Sequence, residues 1–141
     1  MITINPYLNF AGNTEEAFNF YKSVFGGEFA MVIRYKDMGE GVHAAPEDQD
    51  KIMHIALPIG QGNMLMATDM VGEMAKTLTR GNSDSISING DTVDESGKLF
   101  KALAEGGTIM VPFDKSSWGS YFGMFTDQFG VQWMFDCAIA Q

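Results

Sequence analysis

The stretch that decides the fold is "YLNFAGNTEEAFNFYKSVFGG", Tyr7 to Gly27. Its upstream flank alternates apolar and polar residues from Ile2 to Phe10 around Pro6, which predicts a strand. The missing proline N–H pushes that strand to a sheet edge or a ladder end. Asn13 or Thr14 can cap a helix, with Glu15 and Glu16 in the first turn where the helix dipole favours acids. Ala17, Phe18, Tyr21, Val24 and Phe25 share one helical face, and Gly26-Gly27 ends the helix. Further on, "EFAMVIRY" reads as a strand and residues 37–50 as a polar, acidic loop. "KIMHIALPIG" and "NMLMATD" read as two strands around the turn Gly60-Gln61-Gly62.

The pattern then restarts. "SDSISING" predicts a strand. "DTVDESGKLFKALAEGG" predicts a helix opened by a capping box of Thr92 and Glu95, with Leu99, Phe100 and Leu103 on one face. "TIMVPF", "GSYFGMFTD" and "VQWMFD" predict three more strands, the last two joined across Gln128-Phe129-Gly130. The Gly-Gly pairs recur at an offset of 80, Gly12 and Gly90 at 78, and Asp69 and Asp136 close the two halves at 67. An internal repeat of this kind outranks any local motif as evidence of architecture. The expected fold is α+β: two βαβββ modules in tandem, forming a curved eight-stranded mixed sheet around a cleft, helices outside. Residues 1–141 form a single domain on this reading, with module one at 1–69, a linker at 70–82 that holds a helical turn, and module two at 83–137.

Composition excludes several function classes. Eighteen acids against nine bases give a net charge of −9, a field that repels nucleic-acid phosphates and anionic membrane surfaces. No stretch approaches the roughly 18 apolar residues of a membrane span. "MITINPYLNF" lacks the basic start and apolar run of a signal peptide. The one cysteine, Cys137, rules out an internal disulfide and a thiolate metal cluster, and a cytoplasmic location is expected.

The paired modules, "YLNFAGNTEEAFNFYKSVFGG" and the ending "WGSYFGMFTDQFGVQWMFD" resemble the vicinal oxygen chelate superfamily, which includes glyoxalase I, bleomycin-resistance proteins and extradiol dioxygenases. Within it the chain resembles the PhnB-like branch, in "NFAGN", the "FY" on the first helix, and Trp118-Gly119 leading into "TDQFGVQWM". The resemblance covers nearly the whole chain and implies a fold more strongly than a reaction. In metalloenzymes of the superfamily, His or Glu stands on the first and last strand of each module and faces the cleft. Carried over strand by strand, those positions fall at Pro6, at Ala67 or (one register step away) Met66, at Ser85 and at Met134. None is a conventional hard-metal ligand, so no metal and no other cofactor is expected. The resemblance also implies a homodimer.

Several residues remain as candidates. His54 is the one histidine on an expected strand; it suits an acid–base group or polar anchor on one reading and a hydrogen-bonded sheet histidine on the other. His43 falls in the acidic loop. Trp118 and Tyr121, among Ser116, Ser117 and Ser120, suit a ligand cleft, a dimer interface or ordinary core. Eleven methionines, Met66 and Met134 among them, line an adaptable pocket or fill the core. Asp69 and Asp136 are solvated strand ends on one reading and a displaced metal site on another; Asp84 reaches a ligand position only through a register slip. "GEGVHA", Gly39 to Ala44, imitates a dinucleotide-binding glycine motif but precedes Pro46 and acidic residues rather than a helix, which argues against a methyltransferase using S-adenosylmethionine.

The expected function is binding of a small, partly apolar molecule in a cleft that His54, Met66, Ser85, Trp118, Tyr121 and Met134 contribute to. A metal-dependent lyase or isomerase using Asp69 and Asp136, and a structural protein with a filled cleft, are the alternatives. The sequence names no catalytic residue and no specific ligand.

Overall fold

The computed structural model describes residues 1–41 and 44–139, so His43 lies outside the described residues. The chain divides into unit one, Met1–Thr79, and unit two, from Arg80 onward. Each unit carries the expected strand–helix–three-strand order. Unit one holds β1 (Tyr7–Phe10), α1 (Thr14–Phe25), β2 (Met31–Arg34), β3 (Ile52–Ile59) and β4 (Asn63–Asp69). Unit two holds β5 (Ile86–Gly90), α2 (Val93–Ala104), β6 (Thr108–Lys115), β7 (Ser120–Thr126) and β8 (Gln132–Ala138). The eight strands are hydrogen-bonded four and four, in the orders β1-β4-β3-β2 and β5-β8-β7-β6. In both sheets the first and last strands pair in parallel and the other pairs are antiparallel. The connection Gly72–Thr77 is a short 3₁₀ turn.

Side-chain alternation along a strand gives each sheet two unlike faces. On β4 the buried residues are Leu65, Ala67 and Asp69; on β8 they are Trp133, Phe135 and Cys137. These faces lie under the helices. α1 packs on β3 and β4 through Ala17, Phe18 and Tyr21, with Phe10 edge-on to Phe18. α2 packs on its whole sheet through Phe100, which meets Phe125 and Phe135 edge-on. Burying one such aromatic side chain contributes about 1.5–3 kcal/mol.

The two helices start differently. α2 uses its own capping box: Thr92 Oγ1 accepts the Glu95 N–H. At α1, Asn13 makes no side-chain cap. Asp69, from the far end of the unit, does that work. Its Oδ1 accepts the N–H groups of Gly12 and Thr14 at 3.0 Å each and the Thr14 hydroxyl at 2.7 Å. Its Oδ2 accepts the Ile52 N–H at 2.9 Å. Four donors match the about four lone-pair positions of a carboxylate. Asp69 is therefore a buried clasp and not a solvated strand end, a correction to the sequence reading.

The stretch "DQFGVQWMFD" resolves in the same terms. Asp127 Oδ1 accepts the N–H groups of Phe129 and Val131, and its Oδ2 accepts the Trp133 indole N–H at 2.8 Å. Asp127 thus ties the β7–β8 hairpin and lets Trp133 be fully buried without an orphaned donor.

Candidate functional site

The sheet faces turned away from the helices carry the polar and thioether residues, and register sorts them into rows. In unit one, Tyr7, Met66, Ala56 and Met31 lie abreast on β1, β4, β3 and β2. One step along the strands, Asn9 stands beside Thr68, and His54 beside Ile33. In unit two the matching rows are Ser87, Met134, Met124 and Val111, then Asn89, Asp136, Phe122 and Asp114. The two units superpose in sequence at an offset of 80 on β1/β5 and 68 on β4/β8. Tyr7 and Asn9 thus answer to Ser87 and Asn89, and Met66 to Met134.

This register moves several expected positions. Pro6 precedes β1, and Tyr7 occupies the open-face place beside Met66. Ala67 is fully buried on the helix side, so Met66 is the open-face residue of β4. Ser85 precedes β5, and Ser87 stands beside Met134. Tyr121 is on the helix side, its ring 5.6 Å from Phe113, because it pairs with the buried Cys137. Phe122, one residue on, takes the open face. Asp69 and Asp136 are not equivalent: the offset of 68 matches Thr68 to Asp136 and Asp69 to Cys137. Asp69 points under its own helix, whereas Asp136 points away from its own.

The best-defined polar group on the open face of unit one is Tyr7 with His54. The Tyr7 hydroxyl lies 3.3 Å from His54 Nδ1, with ring centroids 5.7 Å apart. Burial of the phenol raises its pKa above the ordinary value, opposed by a Thr68 hydrogen bond and reinforced by Tyr35. The phenol therefore keeps its proton at neutral pH, within hydrogen-bond reach of His54 Nδ1. In unit two, Ser120 Oγ donates to Asp136 Oδ1 at 2.7 Å and Ser116 Oγ lies 3.3 Å from Ser120 Oγ. Trp118, in the β6–β7 turn, is 65% exposed and sits edge-on over Phe122 at 5.5 Å.

On the strands that would bear metal ligands, unit one offers Tyr7 and Met66, then Asn9 and Thr68; unit two offers Ser87 and Met134, then Asn89 and Asp136, which is already bonded to Ser120. Neither donor set fits a catalytic divalent ion, which needs imidazole or carboxylate ligands at about 2 Å. Among the described residues, no three His, Cys, Asp or Glu side chains gather to hold a metal.

Sequence reasoning missed Tyr7, Thr68 and Phe122. The signal was present: a parallel pair of strands fixes the parity of β1 from that of β4, and Met66 already stood as an option.

A tandem βαβββ chain with these open faces defines a class, and comparison with known proteins gives its family. Residues 3–135 match the model of the Glyoxalase/Bleomycin resistance protein/Dioxygenase superfamily, and the chain belongs to it. The crystal structure of protein PA1353 from Pseudomonas aeruginosa is 38% identical, covers 98% of both chains and has a TM-score of 0.83. The PhnB protein from Bacillus cereus, whose name carries a provisional 3-demethylubiquinone-9 3-methyltransferase assignment, is 28% identical. That match covers 97% of this chain and 100% of that one, at a TM-score of 0.77. Protein YjdN from Escherichia coli K12 is 27% identical over 139 residues, covering 93% of this chain and 92% of that protein.

Proposed function

We propose that this PhnB-like protein binds a small, partly apolar molecule on its open sheet faces without a metal ion. The observation that carries the reading is the row structure. Thioethers at Met66, Met124 and Met134 supply an adaptable apolar surface, flanked by the Tyr7–His54 pair in unit one and by Trp118 on Phe122 in unit two. The His54 imidazole and the Asp136 carboxylate each offer a polar group to a ligand. Ser87 replaces Ser85 as the hydroxyl beside Met134.

The displaced-metal reading at Asp69 and Asp136 loses support from Asp69, whose carboxylate already accepts four donors. Methyl transfer gains none, because 3₁₀ turns follow β2 where a nucleotide-binding unit needs a helix. The proposal includes a homodimer, as in the resemblance, and a reducing compartment consistent with the buried free thiol of Cys137. Among the described residues no helix is long and apolar enough to cross a membrane.

The test is a thermal-shift screen of small aromatic and aliphatic compounds, repeated on Tyr7→Phe, His54→Ala and Met134→Ala. Hits that weaken in these variants support the proposal; hits indifferent to all three sink it. Elemental analysis after incubation with Zn²⁺, Ni²⁺, Mn²⁺ and Fe²⁺ separates the readings. A stoichiometric ion lost on Asp136→Asn favours the enzyme.

A further inference from the structure

Unit two carries a concave surface on the helix side of its sheet, independent of the open-face proposal. A groove of about 820 Å³ runs between α2 and β6, within the range of small-molecule sites. Gly97, Phe100, Ala104, Ile109 and Phe113 form its apolar wall, and Lys101 stands at its side. Strand β6 is bulged twice against β7, between Ile109 and Val111 and between Val111 and Asp114. Such bulges bend a strand away from regular pairing. Pro112, between them, also lines the groove.

The repeat shows why the groove is there. α1 and α2 are both 12 residues long and align at an offset of 79. Gly97 then answers to Phe18, which is fully buried, and Ala104 answers to Phe25. Ile109 answers to Phe29 at the strand offset of 80. Three aromatic rings in unit one thus become a glycine, an alanine and an isoleucine. The charges differ in the same way. Lys22 pairs with Glu28 at 3.0 Å and lies 5.2 Å from the Phe29 ring centroid. Its counterpart Lys101 forms no ion pair among the described residues, and Thr108 stands where Glu28 would. Lys98 is paired with Asp94, and Glu105 lies one turn beyond Lys101 without closing on it.

From this geometry we infer that the α2–β6 groove binds a small carboxylate with an apolar body: the chain or ring lies along Phe100, Ile109 and Phe113, and the carboxylate meets Lys101. Glu105 also lines the groove but makes no ion pair with Lys101, so the ammonium group stays available to an anion there, in a chain whose net charge is −9. A Cβ added at Gly97 would meet the Phe113 ring at 3.7 Å, an ordinary contact. A larger side chain there fills the groove without straining the helix.

The test uses decanoate as probe, titrated into the whole protein while amide NMR shifts are followed. The expected shifts fall in residues 97–105 and 109–113. Gly97→Leu and Lys101→Glu each weaken binding by about tenfold or more, and decylamine, of equal chain length and opposite charge, does not bind there. Shifts confined to the open faces, equal binding of decylamine, or unchanged affinity in folded Gly97→Leu would each overturn the inference. So would loss of self-association in Gly97→Leu without decanoate binding, which assigns the groove to a second copy.

Discussion

Unit one and unit two solve one packing problem with opposite distributions of bulk. Beneath the helix of unit one, Ile55 on β3 faces Ala67 on β4. At the matching places of unit two, Gly123 on β7 faces Phe135 on β8. The large side chain has changed strands. Phe100 fills the space over Gly123, where a Cβ would come within 2.7 Å of its ring. On the helix flank the exchange runs without compensation: Phe18, Phe25 and Phe29 close unit one, and Gly97, Ala104 and Ile109 leave unit two grooved. The two units keep the same strand order and pairing directions, while side-chain volume is balanced where the core is sealed. An unbalanced exchange marks a place where something other than packing sets the residue.

The largest expected effect that sharpens this comparison is Phe18→Ala, which should destabilise unit one by about 3–5 kcal/mol, read by hydrogen exchange of α1 amides. Gly97→Ala at the matching place should instead stabilise unit two by up to about 1 kcal/mol. Both tryptophans belong to unit two, so urea unfolding followed by tryptophan fluorescence reads that unit.

Asp69→Asn should cost about 3 kcal/mol or more, because buried donors lose a charged acceptor. Asp136→Asn should stay within about 1 kcal/mol. Equal costs in urea titrations would break the distinction between clasp and open-face acid. Gly123→Ala should cost about 1–3 kcal/mol by overpacking, and the double exchange Gly123→Ile with Phe135→Ala should recover part of that in the same fluorescence assay.

The smallest effect is electrostatic. Arg34 holds the Glu15 carboxyl below its usual range by hydrogen bonding. A depressed carboxylate pKa contributes stability above its ordinary value near 4.5, lost as pH falls through the folded value. Glu15 is about half exposed, so Glu15→Gln should cost no more than about 1 kcal/mol at pH 7, and the two proteins should converge in acid.

Much of the fold was legible because turn residues bracket the strands. "KIMHIALPIG" and "NMLMATD" fall almost residue for residue on β3 and β4, both helices span the expected residues, and α2 opens on its expected Thr92 cap, whereas α1 does not use Asn13. The first strand was drawn too long. Residues 2–5 alternate correctly, but the ladder begins only where Met66 N–H donates to the Pro6 carbonyl. The site was less legible, for reasons of parity and range. A single step of register separates Tyr7 from Pro6 and Phe122 from Tyr121, and alternation alone leaves that step open. Asp69 was misjudged because its partners, Gly12 and Thr14, lie more than fifty residues away, beyond any local capping signal. The groove was hidden in plain view: Gly97 interrupts an apolar helix face at the very place where the first repeat carries Phe18.

The clasp also has a temporal side. Among the described residues β1 pairs with β4 alone, and the last residue of β4 secures the first turn of α1. During synthesis, therefore, the ladder of β1 and the first-turn N–H groups at Gly12 and Thr14 gain their native partners only once residue 69 has emerged. The same carboxylate thus joins the start and finish of the unit. Long-range closures of this kind slow folding. Hydrogen-exchange pulses on stalled chains with Asp69 still inside the ribosome and with Asp69 well clear of it would show the first turn of α1 protected only in the latter.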